Sequence, residues 1–140
     1  MEAGTIKIVA ALIRDDAGRV LLVRKRGTAA FMQPGGKRDA GEDDIAALSR
    51  EIAEELGCDL VPASIEPLGE FDAVAANEPG FRVHASLYGI DVAGDIRPSQ
   101  EIDEAIWIDP AAPPDILLAP LTREHVLPLA SAGRVAGNVR

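Results

Sequence analysis

The stretch GGKRDAGEDDIAALSREIAEELGC, Gly35 to Cys58, decides how the rest of the chain is read. From Asp43 to Leu56 its pattern is helical: at roughly 100° per residue, Ile45, Leu48, Ile52 and Leu56 fall on one apolar stripe. Asp43 suits an N-cap, Asp44 favours the positive helix start, and Gly57 is placed as a left-handed stop. Glu51, Glu54 and Glu55 stand at i, i+3 and i+4 and share a different face. Like charges at that spacing cost a helix a few tenths of a kcal/mol per pair. Either that face is well solvated or something compensates the charge. Pro34-Gly35-Gly36, just ahead, reads as a tight loop that can fold back beside the acids and offer backbone carbonyls. Carboxylates with a carbonyl are the hard oxygen donors that Mg²⁺ or Mn²⁺ prefers, and such a cation lets acids and phosphates share one site.

Working outward, Thr5 to Ile13 is β-branched and apolar and predicts a strand. Asp15-Asp16-Ala17-Gly18 supplies turn chemistry, Val20 to Val23 predicts a second strand, and the pair is expected to form a hairpin. Arg24 to Met32 reads as a connector. Further strands are expected within Ile65–Val74, at Phe81–Leu87 with period two, and at Ala105–Ile108. Thr122 to Ser131 predicts a C-terminal helix that Pro128 must kink or shorten. The whole, 1–140, reads as one α/β domain with a mixed sheet.

The net charge of −9 disfavours a nucleic-acid duplex as partner, since that binding rests on Lys and Arg neutralising phosphates. No apolar run approaches the ~20 residues a bilayer span needs, and the N-terminus does not read as a signal peptide. One cysteine, Cys58, cannot form an internal disulfide, so a cytoplasmic location is expected. It follows the helix-stop glycine and has no basic activator. Neither His84 nor His125 has a zinc-like partner spacing.

Gly36, then Glu42, then Arg50-Glu51-Ile52-Ala53-Glu54-Glu55-Leu56-Gly57 resembles the signature box of the Nudix hydrolases. Every specified polar and glycine position of that box is met, and Cys58 stands where a larger aliphatic is usual. The resemblance extends over nearly the whole chain and implies an α/β/α sandwich with a mixed β-sheet. It also implies cleavage of a diphosphate linkage by water and a divalent metal, Mg²⁺ or Mn²⁺. By that resemblance Glu51 and Glu55 are the leading metal ligands, with Glu54 a further ligand or proton acceptor and Gly35 the backbone ligand. Glu42, Arg50, Gly36 and Gly57 would support the box, Arg50 pairing with Glu42. Glu101 and Glu104 lie where relatives often place an extra acid for catalysis. Lys37 is a candidate phosphate contact, against an exposed loop lysine, and one of Arg24, Lys25 and Arg26, with Arg26 the choice, could reach substrate, against a solvated positive rim. Asn77 and Glu78 sit in a turn that could cover the pocket and read a base, against an ordinary polar turn.

The resemblance leaves the substrate open. The second motif of the coenzyme A type, the late proline of the ADP-ribose type and the tyrosine of the dinucleoside-polyphosphate type are absent. Pro34-Gly35-Gly36-Lys37 looks like the turn of MutT-like members that cleave nucleoside triphosphates. The expected function is therefore a pyrophosphohydrolase of a nucleotide or nucleoside diphosphate derivative, a small phosphorylated substrate. The alternative is a non-catalytic Nudix-like binding or sensor domain. Many relatives dimerise, so a homodimer is a possible state.

Overall fold

A computed structural model describes residues 4–137, with side chains from 4 to 132. Residues 1–3 of the stretch read for a signal peptide lie outside it. In chain order the elements are β1 (Gly4–Ile13), β2 (Val20–Lys25), β3 (Phe31–Met32), β4 (Gly35–Gly36) and α1 (Asp44–Leu56). There follow β5 (Asp59–Leu60), β6 (Glu66–Val74), β7 (Phe81–Ile90), β8 (Val92–Ala93), β9 (Ile102–Ile108) and α2 (Leu127–Gly137). The strands form a four-stranded mixed sheet ordered β4-β1-β7-β6, a three-stranded sheet β3-β2-β9 and a small β5-β8 pair.

The alternation of side chains along β1 and β2 divides the interior in two. Val9, Ala11, Ile13, Leu21 and Val23 pack on one side with Leu48, Ile52 and Leu56 of α1. Ala10, Leu12, Val20 and Leu22 pack on the other with Leu127 and Ala130 of α2 and with Val126 just before it. Successive residues of a strand face opposite ways, so a run apolar at every position must be covered on both faces. This is the α/β/α sandwich expected from the sequence. Burying a Leu or Ile side chain stabilises by about 1.5–3 kcal/mol, and Leu48, Ile52 and Leu56 are fully buried.

The expected β1–β2 hairpin is not found. Asp15 organises the turn, accepting from the backbone N–H groups of Ala17 and Arg19, but only Arg14 and Val20 bridge across it. Each strand then takes another partner. β1 runs parallel to β7 over its full length, from Gly4 opposite Phe81 to Ile13 opposite Ile90, and β2 pairs antiparallel with β9. The Pro34–Gly36 loop is likewise corrected in part: Gly35 and Gly36 pair antiparallel with Ala10 and Val9, making a short edge strand.

Helix α1 begins and ends as its sequence predicts. Asp43 is the N-cap and accepts from Ala46 N–H at 2.8 Å. Gly57 adopts φ +65° and donates its N–H to Ala53 O at 3.1 Å. The C-terminal helix is α-helical only from Leu127, so Pro128 falls in its first turn and the regular helix is shorter than the stretch from Thr122. A π turn over Thr122–Val126 precedes α2, and Leu127 N–H reaches back to Thr122 O, so the register changes just ahead of the residue that lacks an N–H. None of the helices among the described residues is long and apolar enough to cross a membrane. Cys58 is buried, 3% exposed, beneath α1.

Gly57 is a test of this architecture. A Cβ there would lie 3.0 Å from Arg97 O and would need a left-handed backbone. Gly57→Ala should lower stability by about 1 kcal/mol or more, read as a lower urea midpoint at unchanged slope.

Candidate active site

The apolar stripe of α1 fixes where its acids point. With Ile52 and Leu56 in the core, Glu55 is drawn to the core boundary and is only 4% exposed, Glu51 is half-buried, and Glu54 is exposed. β4 passes close beside this face. Gly35 N–H donates to Glu55 Oε1 at 3.2 Å. A Cβ on Gly36 would come within 2.7 Å of the Glu51 carboxylate, and one on Gly35 within 2.2 Å of Val9 O. Gly35 is therefore required both by contact with the β1 backbone and by its φ of +147°, whereas at Gly36 the neighbour is the end of a flexible side chain that can move aside.

Arg50 organises the loop between β4 and α1. Its Nε and Nη2 grip the two oxygens of Glu42 at 2.7 and 2.9 Å, a two-pronged pair with fixed geometry. Nη2 also donates to Lys37 O at 3.0 Å, and Nη1 reaches Glu51 Oε1 at 2.8 Å and Glu54 Oε2 at 3.2 Å. Glu42 accepts a further bond from Asp39 N–H at 2.7 Å. Hydrogen bonding from Arg50 holds the Glu42 carboxyl below its ordinary range. Burial works the other way on the helix acids. It raises Glu51 against the pull of Arg50, and it pushes Glu55 up to about 7 against Lys25, whose Nζ lies 3.9 Å from Glu55 Oε2.

These groups wall a cavity of about 360 Å³, within the range of small-molecule sites. Of the residues singled out in the sequence, Gly35, Gly36, Lys37, Glu51, Glu54, Glu55 and Glu101 all line it. Asn77 and Glu78, from the turn between β6 and β7, line it too. Glu42 and Arg50 brace the wall, and Gly57 closes the helix behind it.

Two candidates lie elsewhere. Glu104 sits opposite Arg24 across β2 and β9 and accepts from its Nη2 at 2.8 Å, which occupies it as a surface ion pair. Arg26 is exposed, with its backbone N–H bonded to Glu101 O. Lys25 lines the cavity instead. Lys25 follows Leu21 and Val23 at the strand's period of two and so faces the side of β2 that packs toward α1; the register shift there takes its extra residue, Asp103, from β9. Asp39 and Gln33 also line the cavity and were not singled out. The Arg24-Lys25-Arg26 run marks the neighbourhood, and alternation along β2 from Val23 selects Lys25 within it.

The donor set of the acidic wall is Glu51, Glu54 and Glu55, all hard oxygen donors, beside the Gly35 backbone and with no thiol or imidazole on the cavity. That chemistry fits Mg²⁺ or Mn²⁺. Among the described residues the acids are not drawn together around one point; Arg50 holds two of them.

The family model described as NUDIX domain matches residues 5–129. The chain belongs to the Nudix family. Among its relatives, an 8-oxo-dGTP diphosphatase of Haemophilus influenzae is 34% identical over 76 residues, 51% of this chain and 56% of that one. An RNA pyrophosphohydrolase of Halorhodospira halophila is 41% identical over 61 residues, 44% of this chain and 33% of that one. This Nudix domain thus spans about half or less of the length of these relatives. Among solved structures, a MutT NUDIX hydrolase from Burkholderia pseudomallei superposes with a TM-score of 0.72 at 26% identity, covering 91% of this chain and 96% of that one.

The buried acid of this Nudix domain has a pH signature. The folded-state pKa of Glu55 is raised from 4.5 to about 7, so folding favours its protonated form. Its contribution is full below the unfolded pKa and is lost as pH rises through about 7. Metal-free protein should therefore lose stability between about pH 5 and pH 8, by roughly 3 kcal/mol at most. Glu55→Gln should flatten that part of the profile in urea titrations at stepped pH.

Proposed function

We propose that this Nudix domain is a divalent-cation-dependent pyrophosphohydrolase that cleaves a diphosphate linkage in a nucleotide or nucleoside diphosphate derivative. The observation that carries the reading is the shared cavity. Glu51, Glu54 and Glu55 from one helix face line it together with Gly35, Gly36, Lys25 and Lys37, while Ile6, Ile8, Val83 and Leu121 give it an aliphatic wall. A charged wall beside an apolar one suits a ligand that is anionic at one end and weakly polar at the other. The diphosphatase and pyrophosphohydrolase relatives point to the same class of bond.

Glu51, Glu54 and Glu55 would hold the cation, with the Gly35 backbone beside them. When bound, Mg²⁺ or Mn²⁺ neutralises charge on linked phosphates and makes water a better nucleophile. The remaining work falls to the chain. Lys25 and Lys37 balance phosphate charge on the cavity wall. Glu54, exposed and with one oxygen on Arg50, is the helix acid best able to meet water and take its proton. Glu101, on the same cavity, is the second candidate for that role. Arg50 and Glu42 keep the β4–α1 loop against the helix, which holds the acids on one wall of the cavity.

The test is turnover of nucleoside di- and triphosphates, ADP-ribose and dinucleotides with Mg²⁺ or Mn²⁺. Glu54→Gln and Glu55→Gln should each lower kcat by about 100-fold or more while the circular-dichroism spectrum is retained. Wild-type rates in both variants would remove the assignment, and no cation-dependent turnover of any substrate would leave a nucleotide-binding domain. Millimolar Mg²⁺ should also raise the melting temperature of the wild type, and do so less in Glu55→Gln.

A further inference from the structure

Gln33 is the buried polar group of the cavity that the proposed chemistry does not use. It lies between β3 and β4, is 5% exposed and lines the cavity beside Ala119 and Leu121. Its Oε1 accepts a 2.7 Å hydrogen bond from the hydroxyl of Thr122, which is itself fully buried. That bond turns the oxygen end of the amide toward Thr122 and leaves the nitrogen end over. The Nε2 group carries two N–H donors, and no acceptor for either is found among the described residues. Nor is the nitrogen sealed in the interior, because Arg14 Nε is the one fully buried, unpartnered side-chain nitrogen or oxygen among the described residues. The cavity is where Nε2 is open.

The pair is held from both sides. Phe31 N–H donates to Leu117 O and Phe31 O accepts from Ala119 N–H, both at 2.9 Å, which clamps the segment leading to Thr122 alongside β3. Thr122 then opens the π turn. Such turns are rare and frequent at functional sites. An amide buried at this depth, oriented by a buried hydroxyl and left with unpaired donors, is a preorganised hydrogen-bond donor. The cavity lining around it is aliphatic and includes no aromatic ring. Asn77 and Glu78 also reach the cavity, but both are exposed.

We propose that Gln33, oriented by Thr122, is a specificity-determining residue that donates to an oxo group on the base of a nucleotide substrate. The proposal rests on the reading of this cavity as a nucleotide pyrophosphohydrolase site and adds a substrate preference to it. An aliphatic wall accepts any flat ring, so discrimination falls to the directional group. An oxo base offers Nε2 an acceptor. An amino group at the same ring position sets N–H against N–H and leaves both desolvated, a difference on the order of ten-fold to a hundred-fold in kcat/KM.

Two substrate pairs carry this difference, together with the proton on the adjacent ring nitrogen, and the variants separate the two: inosine against adenosine triphosphate, and uridine against cytidine triphosphate. In the pair turned over faster by the wild type, the oxo member should be favoured about ten-fold or more. Gln33→Met should bring that ratio to within about two-fold of one by raising KM for the oxo nucleotide. Because Met leaves the Thr122 hydroxyl without its acceptor, Gln33→Met combined with Thr122→Val should be run beside it and should show the same collapse. A wild-type ratio near one, or a ratio that survives in both variants, overturns the assignment. If none of the four nucleotides is hydrolysed, the hydrolase reading is decided separately by the wider panel of diphosphates, ADP-ribose and dinucleotides. The Gln33 assignment is then decided by calorimetric Kd values for the same pairs, whose ratio must still collapse in the variants.

Discussion

β4 passes close between β1 and the acidic face of α1, and its two glycines set how near backbone and carboxylate come. The Glu51 carboxylate occupies the space a Gly36 side chain would need, and Val9 O occupies that of Gly35. Glycine at 35 lets the edge strand pair closely with β1, and glycine at 36 lets the Glu51 carboxylate rest against the strand without displacement. The cost of the arrangement is borne by Glu55, which loses most of its water and receives one backbone N–H and a distant lysine in return. A carboxylate so placed gains from any cation that reaches it, and this contact sets the chemical character of the cavity.

The rest of the architecture holds that contact still. β1 is covered on both faces, by α1 on one side and α2 on the other, so neither helix can shift without opening a packed layer. Arg50 ties helix to loop through Glu42 and the Lys37 carbonyl, and at the same time balances Glu51 and Glu54. One guanidinium thus serves shape and charge together, which a lysine with a single point charge could not do.

What the sequence discloses here is what is decided locally. The limits of α1 follow from Asp43, the apolar stripe and Gly57, all within one helix length, and the structure places them there. The box residues gather on one cavity because their spacing along helix and loop requires it. The pairing of β1 with β7 joins residues 77 positions apart, and no turn signal encodes that, so the local signals point to a hairpin instead. Glu104 looked like a free acid until Arg24 was brought opposite it by strand register. The burial of Glu55 was hidden for a related reason: its helix face reads as charged, and only the approach of β4 turns part of that face inward. Gln33 depends on a threonine 89 positions away, which no local pattern announces.

Cys58 has a practical side. It is the only cysteine in the chain, it is 3% exposed, and burial raises its thiol above the ordinary value. Alkylating dyes and mild oxidants attack the thiolate and need access to it, and this sulfur offers neither. A cysteine introduced on the surface would thus be the one reactive sulfur in the folded molecule. A fluorophore or spin label can then be installed at a chosen point, with the native residue left in place.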